Sequence, residues 1–326
     1  MTEMNIIQAL NQTLHQQFAK DKRLVTFGED AGAFGGVFRV TSGLQEAFGE
    51  ERCFDTPLSE AGIVGFGIGM AQNGMKPICE IQFADYIFPA YDQIVNELAK
   101  MRYRTGNQYS CPLVIRTPYG GGIHGGHYHS QSPEAQFLHT PGLRVVFASC
   151  PYDAKGLLLA AIRSNDPVLF FEPKRLYRAL KQEVPEEEYE IPLGQAEIAK
   201  SGKDITLIGW GAQNVENLKA AQELMEKSID VEVLNLRSLN PLDLDSILAS
   251  VEKTGRVVIA HEAPKTQGFG AELSALIQEQ CFYHLEVPIN RVAGLDTPFP
   301  HSLESAYLPD APRVKNAILE MMREKE

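Results

Sequence analysis

Three groups of residues in this chain have the types and spacing to do chemistry. The first is Glu60, the lone acid in TPLSEAGIVGFGIGMAQNGMKP, a glycine-rich apolar run with no further charge until Lys76. The second is the aromatic pair Phe83 and Tyr86 in QFADYIFPAYDQ. The third is the set His124, His127 and His129 within YGGGIHGGHYHSQ. A carboxyl group in a dry pocket keeps its proton available at neutral pH and can act as an acid. Aromatic rings can stack on a flat heterocycle. A histidine on a mobile loop can exchange protons near neutral pH.

Each group also has a plainer reading. Glu60 fits an exposed first-turn acid that complements the helix dipole, although the residues after it are too apolar for a surface helix. Phe83 and Tyr86 fit the core. The histidines fit a solvated loop, or a metal site for which a glycine-rich loop supplies poor rigidity.

Positioning these residues requires regular elements. Ile7, Leu10, Leu14 and Phe18 recur at helical spacing, and LVTFGED reads as a strand ending at Glu29 and Asp30. AGAFGGVFRVTSG reads as a loop and RCFD as a short strand. Ser59 is the expected N-cap of the glycine-rich helix. Gly62, Gly65 and Gly69 share one face, as expected where another backbone packs closely. PICEIQ and PLVIRT are buried strands, separated by a helix expected over Tyr91 to Arg104. Ser132-Pro133-Glu134 has the order of a capped helix start. LRVVFAS, a helix around Leu157 to Ile162 and PVLFF follow. This alternation with nearly continuous apolar strands predicts parallel sheets covered by helices. Ligands of such sheets bind beyond the carboxyl ends of the strands, where Glu29, Gln82 and the loop after Arg116 fall. KQEVPEEEYEIPLG is acidic, carries two prolines and reads as a connection; a second α/β set follows it from DITLIGW to a closing helix with Val314, Ile318 and Met321.

Bulk properties narrow the partners. The chain has 326 residues, 44% hydrophobic and 22% charged, which suits a two-domain soluble protein. A net charge of −12 argues against nucleic acid or an anionic membrane as the main partner. MTEMNIIQAL lacks the pattern of a secretory signal, and no apolar run is long enough to span a membrane. The five scattered cysteines form no CxxC pair and suit a reducing compartment.

Glu60, four residues, and then Gly65-Phe66-Gly67-Ile68-Gly69 match the Glu-x4-Gly-apolar-x-x-Gly signature of thiamine-diphosphate enzymes. The longer strings FADYIFPAYDQIVNE, YHSQSPEA, FFEPKRLYR and HEAPKTQGFG extend the likeness over essentially the whole chain. It resembles the β subunits of 2-oxo acid dehydrogenase decarboxylase components, above all the branched-chain (2-oxoisovalerate) type. The resemblance implies an α/β fold of two parallel-sheet domains: a pyrimidine-binding, transketolase-like domain over 1–181, a linker over 182–200 and a transketolase C-terminal-like domain over 201–326. It implies oxidative decarboxylation of branched-chain 2-oxo acids with reductive acylation of a lipoyl group. A pyruvate or acetoin counterpart is the enzymatic alternative, and an orphan scaffold without cofactor the non-enzymatic one.

The resemblance also assigns roles. Glu29, Leu58, Ser59, Glu60, Gln82 and Tyr86 match thiamine-diphosphate contacts, with Glu60 on the aminopyrimidine nitrogen and Tyr86 on the ring face. Phe83, Tyr86 and His129 match substrate contacts, and His129 serves acyl transfer. The GDG…N motif that holds Mg2+ on the diphosphate is missing from this chain, so the family pattern puts Mg2+ on a partner α subunit. That subunit, a second β subunit and a lipoyl acyltransferase core are the implied partners, in an α2β2 assembly. A potassium ion on main-chain carbonyls would fall near Cys111, Leu113, Ala161 and Asp166. The implied location is the bacterial cytoplasm, or the mitochondrial matrix for a processed eukaryotic chain.

Overall fold

A computed structural model describes residues 1–323. Its strands, in chain order, are β1 (Thr2–Met4), β2 (Leu24–Gly28), β3 (Cys53–Asp55), β4 (Lys76–Glu80), β5 (Val114–Tyr119), β6 (Arg144–Phe147), β7 (Val168–Pro173), β8 (Gln182–Val184), β9 (Glu197–Lys200), β10 (Ile205–Gly209), β11 (Val231–Asn235), β12 (Ser238–Asn240), β13 (Val257–Pro264) and β14 (Asn290–Gly294). A seven-stranded sheet has the order β12-β6-β7-β5-β4-β2-β3, and a five-stranded sheet the order β14-β13-β10-β11-β9. Every pairing in them is parallel except β12 on β6 and β9 on β11, so each sheet carries one antiparallel edge. β2, β5, β7, β10 and β11 are buried along their whole length, because helices cover both faces.

The two halves share structure. β12 comes from the second half yet extends the first sheet. Trp210, Ile208 and Leu234 belong to the same buried cluster as Tyr119, Phe147 and Phe171 of the first. The acidic stretch after Lys181 lies against the first half: β8 pairs antiparallel with β1, Ile191 N donates to Gly156 O at 3.2 Å, and Tyr189 stacks on Tyr152. The opening helix, Ile6–Lys20, starts with a capping box between Asn5 and Gln8, both bonds 2.9 Å. No helix among the described residues is long and apolar enough to cross a membrane. All five cysteines are free.

The helix Glu60–Gln72 differs from expectation at its cap. Ser59 occupies the cap position, but its side chain makes no capping hydrogen bond. Gly62, Gly65 and Gly69 do not meet another backbone within the chain; the ideal Cβ position at Gly69 has nothing within 4 Å. A helix places Ile63, Val64, Gly67, Ile68 and Ala71 on its buried side, so the three glycines fall on the other. The close approach is at Gly67, where a Cβ would lie 2.6 Å from Leu113 Cδ1 and 2.7 Å from Cys79 Sγ. The expected helix over Tyr91 to Arg104 is also interrupted. A π-helical stretch, Gln93–Leu98, ends with Ala99 N bonded to Ile94 O at 3.0 Å, and Met101–Arg104 follows as a separate turn. Ser132 caps nothing: the short helix Glu134–Leu138 begins after Pro133, without a side-chain cap.

Candidate active site

Sheet order puts β2, β4 and β5 side by side in parallel, so their carboxyl ends open on one edge. Glu29 follows β2, Gln82 and Phe83 follow β4, and the glycine-histidine loop follows β5. Glu60 joins them from the head of its helix, 7% exposed and with no hydrogen-bond or ion-pair partner among the described residues. Burial raises the Glu29 carboxyl above its ordinary range, and the charges of Glu60 and Asp30 add to that. The two carboxyl groups thus lie near enough to interact, and neither has an ion-pair partner among the described residues. Gln82 Nε2 donates to Asp30 Oδ2 at 3.1 Å, tying the two strand ends together.

The aromatic part lies beside the carboxyls. Tyr86 stands in a short turn, Ala84–Tyr86, and its hydroxyl is 2.9 Å from His129 Nε2. The Phe83 ring meets the His129 ring edge-on, with centroids 4.7 Å apart at 90°. Phe83 and Tyr86 are themselves perpendicular, 6.0 Å apart. The Phe83 and Tyr86 rings flank His129 and leave its imidazole half-buried. Burial raises the Tyr86 hydroxyl, helped by the nearby charges of Asp85, Glu29 and Glu60, so it remains a hydrogen-bond donor. Asp85, buried in the same turn, accepts from Ser130 N at 3.2 Å and Gln131 N at 3.0 Å.

His124 and His127 point elsewhere. His124 Nδ1 is 3.2 Å from His301 O, and the His127 ring lies on Tyr128. No group of three His, Cys, Asp or Glu side chains among the described residues could hold a metal ion. Leu58, 79% exposed, and Ser59 form an open rim beside Glu60.

Residues 2–179 match the family of the transketolase pyrimidine-binding domain, and residues 194–314 that of the transketolase C-terminal domain. A 2-oxoisovalerate dehydrogenase subunit beta, mitochondrial, from Dictyostelium discoideum is 60% identical over 94% of this chain and 84% of its own. The chain belongs to the β-subunit family of 2-oxo acid dehydrogenases. A pyruvate dehydrogenase E1 component subunit beta from Staphylococcus epidermidis is more distant, at 47% over 95% of this chain and 96% of its own. A solved structure described as "Split gene transketolase, inactive beta4 tetramer" superposes with a TM-score of 0.80 at 22% identity, covering 97% of both chains, which is a likeness of fold.

The family depends on thiamine diphosphate. The residues of this β subunit fit the aminopyrimidine end of such a group: an unpartnered buried carboxyl at Glu60, a second at Glu29, a side-chain amide at Gln82 and an aromatic face at Tyr86. They offer no comparable set for a diphosphate with its divalent ion. The carbonyls expected to hold potassium lie at the opposite ends of the strands. Leu113 O accepts from Val168 N at 3.0 Å, Ala161 O from Ser164 N at 3.1 Å, Cys111 O from Leu113 N at 2.8 Å and Asp166 O from Ser164 Oγ at 2.8 Å. Each carbonyl keeps a second lone pair for a cation. The Asp166 carboxylate is already taken by Arg102 at 2.5 Å and Arg144 at 3.3 Å. A cavity of 1190 Å³ beside Cys111, Leu143 and Tyr103 lies at those same strand starts, away from the carboxyl pair.

Below the aromatic cage lies a charged layer that sequence reasoning missed. Arg116, fully buried in β5, bonds Glu172 Oε1 at 2.7 Å and Oε2 at 3.0 Å, and Glu80 Oε2 at 2.9 Å. Tyr177 donates to the same Glu172 at 2.6 Å. The two carboxylates raise the Arg116 guanidinium against the opposing effect of burial. Phe38 bridges this layer to the cage, packing on both Tyr177 and Phe83. The signal was present: a charge in the middle of each apolar strand, Glu80 in PICEIQ and Arg116 in PLVIRT.

Proposed function

We propose that this chain supplies the aminopyrimidine half of the active site of a branched-chain 2-oxo acid dehydrogenase. The observation that carries this is the unpartnered Glu60 carboxyl beside Glu29, opposite the Phe83–Tyr86–His129 cage. When bound, thiamine diphosphate supplies the nucleophile for the 2-oxo carbon and the electron sink for loss of carbon dioxide. Glu60 holds a proton, or a short hydrogen bond, at the far nitrogen of the pyrimidine ring. Tyr86 would offer its ring face to that heterocycle, and Glu29, Gln82, Leu58 and Ser59 would line the pocket around it. His129, oriented by the Tyr86 hydroxyl, binds the substrate with Phe83 and manages the proton traffic of acyl transfer to a lipoyl group.

The divalent ion and the diphosphate fall to an α subunit, since no set of side chains here holds them. The β-subunit name of the D. discoideum relative supports a partner subunit, in what we take to be an α2β2 assembly. A second β subunit on the open glycine face and a lipoyl acyltransferase core complete the reading. Potassium would use the carbonyls of Cys111, Leu113, Ala161 and Asp166. Branched-chain substrate is favoured over pyruvate by the higher identity of the 2-oxoisovalerate relative. We place the complex in the bacterial cytoplasm or the mitochondrial matrix. The test is co-expression with the α subunit, followed by decarboxylation assays across 2-oxoisovalerate, its branched homologues and pyruvate. Preferred turnover of the branched acids supports the reading; preference for pyruvate, or no thiamine-diphosphate binding by the complex, refutes it.

A further inference from the structure

The loop that carries His129 leaves the end of β5 and returns to it. Gly120 N donates to Gln131 O at 3.0 Å, closing its neck. At that neck Lys174 Nζ donates to Gly120 O, Glu262 Oε2 accepts from Gly121 N at 3.1 Å, and Asp85 holds Ser130 and Gln131. Beyond the neck, the outgoing arm is held from the second half by His301 O, 3.2 Å from His124 Nδ1, and by the Glu304 carboxylate. Glu304, 4% exposed, accepts from Gly122 N with Oε1 at 2.8 Å and from His124 N with Oε2 at 3.0 Å. It comes from the second half, 180 residues or more away in sequence. The backbone it holds is strained. Gly122, at φ 103°, takes this turn freely as a glycine, but His124 has φ 53°, and a non-glycine residue in that region needs its surroundings to keep it there. A carboxylate taking two amides makes charge-assisted bonds, stronger than neutral ones. The buried Lys174 ammonium lies close enough for its charge to interact with Glu304.

The held arm touches His129. Gly125 follows the clamped segment, and a Cβ there would lie 2.5 Å from His129 Cβ and 3.0 Å from Ser130 Oγ. The outgoing arm is therefore the floor on which the catalytic histidine rests. Asp85 fixes one side of His129, and Glu304, through residues 122–125, fixes the other.

We propose that Glu304 is a positioning residue for His129, and that through it the C-terminal half takes part in acyl transfer as well as subunit contact. The proposal rests on the acyl-transfer role given to His129 above. The experiment uses the complex with the α subunit and compares Glu304→Ala and Glu304→Gln, each with and without His129→Ala. Three quantities are read: lipoyl acylation, decarboxylation with an artificial electron acceptor, and hydrogen exchange of the 120–131 amides. Glu304→Ala should speed exchange at Gly122 and His124 and lower acylation roughly 10- to 100-fold, the scale of a misplaced catalytic group. Acceptor-linked decarboxylation should fall less than about 3-fold. Gln keeps one acceptor oxygen and should recover most of the loss. In the His129→Ala background, Glu304→Ala should add nothing.

Unchanged exchange in Glu304→Ala overturns the clamp itself. Equal losses in the two assays, or an effect additive with His129→Ala, overturn the positioning role. Faster exchange with full acylation in His129→Ala alone refutes the role of His129, and the catalytic role of Glu304 with it. If Glu304→Ala does not fold, Glu304→Gln carries the same readouts at smaller amplitude.

Discussion

Replacing Glu60 by Gln separates its chemistry from its cost to the fold. Gln has nearly the same size and can reach the same nitrogen, but it cannot give up a proton. Proton exchange at the reactive thiazolium carbon of the reconstituted complex should slow by at least ~100-fold, the scale of one positioned acid–base group. Stability should move the other way. Glu60 has no partner to lose among the described residues, and its charge is one of the causes that raise the neighbouring Glu29 carboxyl, after burial itself. Neutralising it removes a like-charge repulsion, worth on the order of 1 kcal/mol for a partly buried pair. The isolated Glu60→Gln chain should therefore be slightly more stable than the parent at neutral pH, the pattern expected where a fold is strained for function. Quenched hydrogen–deuterium exchange on the complex measures the first quantity, and urea unfolding of the isolated chain measures the second. An unslowed exchange rate removes Glu60 from the mechanism. A chain clearly destabilised by Gln refutes the picture of two unpartnered carboxyls at one opening.

Other perturbations test other parts of the structure. Glu134 is buried with neither carboxyl oxygen hydrogen-bonded among the described residues, and burial above all pushes its pKa up to about 8. A carboxyl raised on folding binds its proton more tightly in the folded chain. Stability is thus lost as pH rises from its ordinary range to about 8, by an upper bound of about 5 kcal/mol. Glu134→Gln should gain in melting temperature over the parent at pH 8 and not at pH 4; a pH-independent difference refutes this. Gly67→Ala should destabilise the chain by about 1–3 kcal/mol, because the new methyl meets Leu113 and Cys79. Gly69→Ala, with open space around it, should stabilise the isolated chain by up to ~1 kcal/mol while weakening association of β subunits, read by unfolding and by oligomer mass. Tyr86→Phe should lower acylation roughly 3- to 10-fold, the worth of one hydrogen bond to His129, with assembly unchanged.

The parts of this site that follow strand ends were readable from the chain. The βα rhythm locates the last residue of each strand, and parallel neighbours align those ends, so Glu29, Gln82 and the histidine loop meet on one edge. Periodicity also identifies which residues share a helix face. It does not say whether a face turns to its own chain or to another; the glycine face, expected at a contact between β subunits, meets no other backbone within the chain. Asp85 and Glu304 were unreadable for a different reason. Both act through main-chain amides, and an amide leaves no mark in a sequence; their partners lie 45 to 182 residues away. β12 was missed because its three residues carry no period of their own, only a neighbour, β6, with a free edge.

The open face and the carboxyl pair belong to one element. Glu60 is the first residue of its helix, and the same helix shows Gly62, Phe66 and Gly69 to solvent, with Phe66 53% exposed and Leu58 at the rim. An apolar stripe of this kind stays costly until something covers it. On the proposed reading that cover is a second β subunit, and glycine permits its backbone to approach closely. Covering the stripe also closes the mouth above Glu60, because both lie on the same few turns. Whatever water still reaches the carboxyl pair is then excluded when the assembly forms. Loss of β–β contact and loss of the acid function should therefore travel together in variants of the outer face, such as Gly69→Ala. Variants of the inner face, such as Gly67→Ala, should instead lower the stability of the chain before assembly begins.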